Sequence, residues 1–109
     1  MTRDPRYDIL FEPIKIGPVT AKNRFYQVPH CTGMGYTRPN TVNKMREMTA
    51  EGGWGVVNTE YCSIHPSANE DPYPQCTLWD EGDVNNMSKM VEGVHRHGAL
   101  AGVQLWYGG

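Results

Sequence analysis

The sequence predicts an α/β fold in which a parallel sheet follows a small β-hairpin. Segments that start near residues 24, 54 and 99 have the β-branched, aromatic and apolar composition of strands. Two amphipathic helical patterns lie between these segments, so strand and helix alternate along the chain. Because each link between consecutive strands is long enough to hold a helix, the strands are expected to run parallel with right-handed crossovers.

The hairpin and the first strand of the sheet have short local signals. Ile14 and Ile16 flank a lysine ahead of a Gly-Pro turn, which predicts a hairpin over residues 14–20. Residues 24–28 combine aromatic and β-branched side chains that suit a pleated, packed surface. Pro29 lacks a backbone donor and is expected to end this strand.

The first helix is predicted over residues 41–51, where apolar side chains recur every three residues. Thr41 is expected to cap its N-terminus. The predicted apolar stripe consists of Val42, Met45 and Met48. Gly52-Gly53 is expected to end the helix, since glycine readily adopts the left-handed conformation common at helix C-termini.

The second helix is predicted to follow an Asp80 cap and to end at Gly98. Its apolar face is formed by Val84, Met87, Met90, Val91 and Val94. The methionines of both helices are expected to pack in the core. His95 and His97 are expected to be solvated and not metal ligands, because alternate positions on a helix do not face one another.

Two further strands are predicted over residues 54–61 and 99–107. The latter has a nearly continuous apolar run, which is typical of a strand buried on both faces. Residues 1–13 and 62–79 contain several prolines and have no period, so both are expected to be irregular. A loop as long as 62–79 is uncommon and is usually functional or mobile.

Composition limits the classes of function. The chain has 109 residues, 39% hydrophobic and 20% charged, which indicates a folded domain. Its 10 basic and 12 acidic residues give a net charge of −2, and no basic patch predicts a nucleic-acid partner. No apolar run approaches the ~20 residues of a membrane span, so a cytoplasmic protein is expected. The 3 widely spaced cysteines, without a C-x-x-C pair, predict no disulfide framework and no metal site.

Chemically active side chains follow the predicted ends of the three strands. These ends are Pro29-His30-Cys31, Glu60-Tyr61-Cys62 and Gln104-Leu105-Trp106-Tyr107. Because the carboxyl ends of parallel strands meet at one rim of a sheet, a thiol, an imidazole, a carboxylate, a carboxamide and several aromatic rings are expected to gather there. Such a set suits a flat heterocycle, since the Gln104 carboxamide can donate and accept in one plane.

Longer strings of residues point to one family. They are Arg3-Asp4-Pro5, Asp8 to Phe11 (DILF), Asn23 to Cys31 (NRFYQVPHC), Glu51 to Trp54 (EGGW), Asn58 to Ile64 (NTEYCSI), Trp79 to Asp83 (WDEGD) and Trp106 to Gly109 (WYGG). On these strings the chain resembles the N-terminal part of the trimethylamine dehydrogenase-like flavoproteins of the old yellow enzyme superfamily, which include dimethylamine and histamine dehydrogenases. The resemblance covers nearly all of the chain.

The resemblance implies the first part of a (β/α)8 TIM barrel that holds FMN at its carboxyl rim. It implies that Cys31 is joined through sulfur to C6 of the flavin. It also implies that Tyr61 forms one wall of an aromatic bowl that holds a substituted ammonium by cation–π attraction. The cofactor contacts that we expect on this basis are Pro29, His30, Cys31, Glu60, Tyr61 and Gln104.

Each of these residues also has a simpler interpretation. Cys31 can be a small buried thiol, or a thiol that tunes the flavin without a covalent bond. His30 can be a strand-end hydrogen bonder, and Glu60 can orient backbone amides. Tyr61 can be an amphipathic wall residue, and Gln104 can be an amide satisfied within the sheet. Cys62 and Cys76 are expected to be inert.

The implied activity is FMN-dependent oxidation of an amine, with oxidative N-demethylation of a secondary or tertiary methylamine or of an N-methylated amino acid. Gln104, where these enzymes often carry Glu, and the loop 66–77 depart from the family pattern and leave the amine open. An NAD(P)H-dependent ene-reductase of the old yellow enzyme type is one alternative. A non-catalytic, truncated barrel is the other.

The predicted sheet also bears on domain organisation. A complete (β/α)8 barrel takes ~250 residues, and an apolar third strand without a neighbour would leave an open edge. Residues 1–109 are therefore expected to be an N-terminal fragment that is inactive alone. The resemblance implies a homodimeric parent with 4Fe-4S and ADP-binding regions, which passes electrons to an electron-transfer flavoprotein type of acceptor.

Overall fold

The computed structural model describes residues 2–70 and 72–109. Met1, in the predicted irregular N-terminus, and Asp71, in the predicted loop, lie outside the described residues. The elements in chain order are a 3-10 helix over Pro5–Phe11, strands β1 (Ile14–Ile16), β2 (Val19–Ala21) and β3 (Tyr26–Gln27), helix α1 (Pro39–Glu51), strands β4 (Val56–Ser63) and β5 (Cys76–Thr77), helix α2 (Glu81–His95) and strand β6 (Leu100–Trp106).

The predicted α/β order with a parallel sheet is confirmed, and β4 is the central strand. It pairs in parallel with β3 at Val56 and Val57, and with β5 at Cys62 and Ser63. β6 pairs in parallel with these same β4 residues. β6 therefore occupies one edge of β4, and β3 and β5 share the opposite edge. The predicted hairpin is also confirmed, as the separate antiparallel pair β1–β2.

The first residues form a 3-10 helix, which corrects the prediction of an irregular N-terminus. Asp4 caps this helix, because its carboxylate accepts a hydrogen bond of 3.0 Å from the amide of Arg6. The ring of Phe11 meets the ring of Phe25 edge-on, with 5.2 Å between the centroids. The contact fastens the segment beside the start of β3. A few turns of 3-10 helix have too little periodicity to be recognised in the sequence.

Helix α1 starts two residues before the predicted position. Pro39 occupies its first turn, where the missing proline N–H has no helical partner to lose. Arg38 stands at the N-cap and provides no side-chain cap, so the prediction of a Thr41 cap is wrong. The predicted end is confirmed, and Gly53 adopts a positive φ of 113° just beyond it.

The buried face of α1 also differs from the predicted stripe. Met45 is 37% exposed and Met48 is 68% exposed, so these methionines do not pack in the core. The buried residues of this helix are Val42, Arg46, Glu47 and Ala50. Steps of three residues drift by about 60° each around an α-helix, whereas steps of four drift by about 40° in the opposite direction. The buried face follows the four-residue spacing Val42, Arg46, Ala50, and it therefore includes an arginine.

Helix α2 is capped as predicted, with an Asp80 carboxylate oxygen 3.0 Å from the amide nitrogen of Asp83. Its inner face packs on β4 and β6 in a core of Ala50, Val57, Met90, Val94 and Ala99, against which Met87, Val91 and Ala101 are partly buried. Val84 is 47% exposed, which corrects its predicted place on the buried face. Neither described helix has the length and apolar character needed to span a bilayer.

Helices α1 and α2 are joined through Glu47. Across the two helices, Nη1 of Arg96 lies 2.8 Å from a Glu47 carboxylate oxygen. Within α1, Lys44 forms a second ion pair with Glu47 at 3.1 Å. The hydrogen bond from Lys44 holds the pKa of Glu47 below its usual range. Gly93 of α2 lies against this side chain, since a Cβ there would meet the Glu47 Cβ at 3.2 Å. The glycine therefore allows the two helices to approach closely.

The strands are shifted or shortened relative to the predictions. β3 covers only Tyr26–Gln27 of the predicted 24–28, and β4 runs to Ser63, two residues past the predicted end. The predicted irregular loop contains β5. β6 pairs only with β4 among the described residues, so its other hydrogen-bonding edge is open. On its faces, the Leu105 side chain is 65% exposed. The prediction that this strand is buried on both faces is therefore wrong for the described chain.

A β-bulge interrupts β4 between Asn58 and Tyr61. Asn58 pairs with Gly102, and Tyr61 pairs with Gln104, so three residue steps on β4 oppose two on β6. The Asn58 side chain donates to the carbonyl oxygen of Gln27 over 2.6 Å. A Cβ on Gly102 would overlap the Asn58 amide oxygen. Gly102 is therefore required where the Asn58 side chain lies across β6.

Replacing Gly102 by alanine is expected to destabilise the fold by about 1–3 kcal/mol, as overpacking at a constrained position does. The cost arises because Asn58 is held by Gln27 and has no free direction in which to move. Gly52→Ala is the matched control, since the nearest atom to its Cβ would be at 3.4 Å. Urea unfolding of both variants measures the difference. Equal stability of the two variants would contradict this role of Gly102.

Candidate functional site

The carboxyl ends of β3, β4 and β6 meet at one rim of the sheet. Tyr61 of β4 and Gln104 of β6 are register partners, so their Cα atoms lie on adjacent strands, about 5 Å apart in such a ladder. The loop that follows β3 reaches the same level of β4, because the amide of Thr32 donates to the carboxylate of Glu60. The three predicted strand ends therefore share a rim, as the sequence predicted.

Cys31 lies on this rim in an exposed position. His30 is also exposed, and Pro29 is partly buried. The backbone oxygen of His30 accepts a hydrogen bond of 2.5 Å from Nη2 of Arg46. The described contacts of His30 therefore involve its backbone, and its imidazole is available at the surface.

Glu60 is placed differently from the other predicted site residues. It is only 1% exposed, and one carboxylate oxygen accepts hydrogen bonds from the amides of Thr32 and Gly33, the latter over 3.2 Å. The carboxylate thus faces the backbone of the loop and not the open rim. This position favours the simpler interpretation of Glu60 as a residue that orients backbone amides.

Tyr61 and Trp106 form an aromatic pair on the rim. Their ring centroids are 4.8 Å apart and the rings are tilted by 39°. Burial raises the pKa of the Tyr61 phenol, so the ring stays neutral at physiological pH. Gln104 is exposed beside this pair, and its backbone amide donates to Oγ1 of Thr59 over 3.3 Å. The aromatic surface and the carboxamide are therefore neighbours.

The other two cysteines lie away from the exposed rim. Cys62 is fully buried, and it is the register partner of Cys76 on β5. The neighbouring Cys62 thiol, together with burial, raises the pKa of Cys76 above its ordinary value. A protonated thiol is a poor nucleophile and a fully buried thiol is out of reach of a reactant, so these positions favour the expectation that Cys76 and Cys62 are inert.

The long segment between β4 and α2 is fastened to the sheet. The Trp79 indole donates to the hydroxyl oxygen of Ser63 over 3.0 Å, and the backbone amide of Leu78 donates to the Ser63 carbonyl over 2.8 Å. At the other end of this segment, the hydroxyls of Ser67 and Tyr107 are 2.9 Å apart. The segment is thus a structured border of the rim.

Sequence reasoning missed three residues of this region: Arg46, Gln75 and Trp106 as the partner of Tyr61. Gln75, in the loop predicted over 62–79, accepts a hydrogen bond of 2.9 Å from the amide of Gly33. This bond connects that loop to the loop that follows β3 and carries Cys31, here called the Cys31 loop. The spacing Val42, Arg46, Ala50 is a signal that could have identified Arg46, because it marks one face of a helix. Within the described residues, no group of His, Cys, Asp or Glu side chains could hold a metal ion.

The chain is similar to two amine dehydrogenases and an amine oxidase. The dimethylamine dehydrogenase of Hyphomicrobium sp. (strain x) is 54% identical over 109 residues, which are 100% of this chain and 15% of that protein. The structure of histamine dehydrogenase from Rhizobium sp. 4-9 matches 94% of this chain and 15% of its own, with a TM-score of 0.89 and 49% identity. The 6-hydroxypseudooxynicotine amine oxidase HisD from Pseudomonas geniculata N1 matches 97% of this chain and 16% of its own, with a TM-score of 0.90 and 49% identity.

The chain thus spans about 15–16% of the length of these relatives. The family model described as the NADH:flavin oxidoreductase / NADH oxidase family matches residues 9–109, and the chain therefore belongs to this family of flavin-dependent oxidoreductases.

Proposed function

We propose that this segment is the N-terminal part of an FMN-binding (β/α)8 barrel in an amine dehydrogenase. The substrate class is a secondary or tertiary methylamine or an N-methylated amino acid, which undergoes oxidative N-demethylation. The observation that carries the proposal is the shared rim, where an exposed thiol, a neutral aromatic pair and a carboxamide lie together. The similarity to dimethylamine and histamine dehydrogenases supports the choice of an amine.

The residues of the rim fit a flavin by their chemistry. The exposed carboxamide of Gln104 offers a donor and an acceptor to the N–C=O edge of the ring. Pro29, His30 and Cys31 line the adjoining strand end, and Cys31 is the exposed cysteine of the three. In the proposed attachment one C–S bond replaces the S–H bond of Cys31 and a ring C–H bond. Two protons are released, and two electrons pass to the external acceptor that reoxidises the enzyme.

Tyr61 and Trp106 fit the binding of a substituted ammonium. Their tilted rings present π-faces with partial negative charge, which attract a methylated cation without a hydrogen bond. Because burial raises the pKa of Tyr61, the phenol brings no negative charge of its own near neutral pH. Selectivity for a bulky, weakly hydrated cation therefore follows from the aromatic pair.

When bound, the flavin supplies the two-electron acceptor that converts the amine to an imine, which water hydrolyses to a smaller amine and an aldehyde. The chain described here holds and orients the reactants. In the proposed longer protein, a 4Fe-4S centre, an ADP-binding region, an electron-transfer flavoprotein type of acceptor, a homodimeric assembly and a cytoplasmic location remain part of the proposal. The open edge of β6, with Leu105 65% exposed, supports further barrel strands.

Cys31→Ala is expected to convert the flavin from acid-resistant to fully dissociable. The proposed full-length protein is denatured in acid, and the yellow colour left on the polypeptide is compared with the colour in the supernatant. Cys76→Ala is the matched control and is expected to keep its colour on the polypeptide. Complete release of flavin from the unmodified protein would overturn the covalent assignment.

Tyr61→Leu is expected to raise KM for a methylated amine by about tenfold or more, because a cation–π contact in a desolvated site contributes ~1–2 kcal/mol. Tyr61→Phe keeps the π-face and is expected to change KM by less than about threefold. Steady-state kinetics with dimethylamine and with N-methylglycine measures both variants. Equal effects of leucine and phenylalanine would argue against the aromatic contact.

A further inference from the structure

Two buried charges approach the Cys31 loop from different elements. Arg46 belongs to α1 and is 3% exposed, and Glu60 belongs to β4 and is 1% exposed. Burying an ion is costly unless nearby groups of opposite polarity compensate it. Burial lowers the pKa of the Arg46 guanidinium, and the Glu60 carboxylate opposes this shift. The burial of both charged side chains is therefore best understood from the groups that they contact.

The two charges contact the backbone on opposite sides of Cys31. Before Cys31, the His30 carbonyl accepts a hydrogen bond of 2.5 Å from the Arg46 guanidinium. After Cys31, the amides of Thr32 and Gly33 donate to the Glu60 carboxylate. The Arg46 cation thus binds a backbone acceptor, and the Glu60 anion binds two backbone donors. Hydrogen bonds to charged groups are stronger than neutral ones, so the backbone of Cys31 is held from both directions.

The local sequence makes room for this arrangement. A Cβ on Gly35 would overlap the Glu60 carboxylate, so the glycine allows the carboxylate to lie beneath the loop. Nε of Arg46 and Oε1 of Glu60 are buried, and neither has a hydrogen-bond partner within the described protein. Both residues line a cavity of about 90 Å³ between α1, α2 and β4. The cavity is large enough for ordered water, and these two unpaired atoms would give such water polar partners.

We propose that Arg46 and Glu60 are positioning residues that clamp the backbone on both sides of Cys31, bridged to one another by water in the cavity. The clamp holds the thiol in place for its attachment to the flavin. The inference rests on the proposed function for its purpose, since Cys31 must meet a flavin. The clamp itself is a property of this chain that is measurable without a flavin.

The first test measures amide hydrogen exchange at Thr32 and Gly33 by mass spectrometry in the full-length protein. In the unmodified protein, both amides are expected to exchange at least tenfold more slowly than in an unstructured peptide of the same sequence. Glu60→Gln keeps the shape but removes the charge, and it is expected to speed exchange of the Thr32 amide about tenfold, whereas the Gly33 amide also donates to Gln75 over 2.9 Å. Glu47→Gln is the matched control, because Glu47 is a carboxylate of 9% exposure that contacts Lys44 and Arg96.

The second test separates covalent from total flavin. Arg46→Met and Glu60→Gln are expected to lower the acid-resistant fraction of flavin about fivefold or more, while total bound flavin changes less than twofold. Arg46→Lys keeps a charge near the His30 carbonyl and is expected to restore part of the acid-resistant fraction. A residue with a merely structural role would lower both flavin measures together. If Arg46→Met fails to fold, the lysine variant and the exchange data on the unmodified protein decide.

The outcomes distinguish the two proposals. Unprotected Thr32 and Gly33 amides in the unmodified protein, or normal exchange and attachment in Glu60→Gln, would overturn the clamp. Complete release of flavin from the unmodified protein would overturn the attachment at Cys31. In that case the exchange experiment alone would still confirm or refute the clamp.

Discussion

Parallel pairing along β4 determines where each candidate site residue lies. This strand is hydrogen-bonded on both edges, and its residue Val57 is fully buried against the helices. The carboxyl ends of β3 and β6 are therefore set by their register with one rigid strand. The relative positions of the thiol, the aromatic pair and the carboxamide thus depend on these two pairings.

The layer beneath the rim is unusually polar for a helix–sheet interface. Arg46, Glu47, Asn58 and Glu60 are all buried, whereas two methionines of α1 are exposed. A purely apolar layer would pack at lower electrostatic cost. Three of these side chains, Arg46, Asn58 and Glu60, instead use their hydrogen bonds on backbone groups of the Cys31 loop and of β3. The interior of this region thus contributes to the order of the rim as well as to the stability of the fold.

Much of the fold was predictable because its signals are local. The Asp80 cap, the Gly-Pro turn of the hairpin and the alternation of strands with helices all lie within short windows of sequence. Charged side chains are ordinarily exposed, so a buried Arg46 was not expected from its residue type. The early end of β3 was also not predictable, because the amide of Asn58 donates to the Gln27 side chain instead of continuing the ladder.

The candidate site was predictable as a set of strand ends but not as a set of contacts. Shared position on a rim follows from topology, which brought Cys31, Tyr61 and Gln104 to one edge. The buried position of Glu60 and the pairing of Tyr61 with Trp106 depend on side-chain directions that a strand pattern fixes only when the ladder is regular. The ladder of β4 is not regular at this point.

The extra residue in β4 has a consequence for which side chain reaches the rim. Side chains alternate along a strand, so the same residues in a regular ladder, without the bulge, would place Glu60 opposite Gln104 on the face that carries Asn58. With it, that face carries Tyr61, opposite Gln104. A one-residue deletion between Asn58 and Tyr61 would therefore remove the bulge and leave the phenol of Tyr61 opposite Gln104. Loss of one residue here would thus change the course of the strand while leaving the chemistry of the site in place.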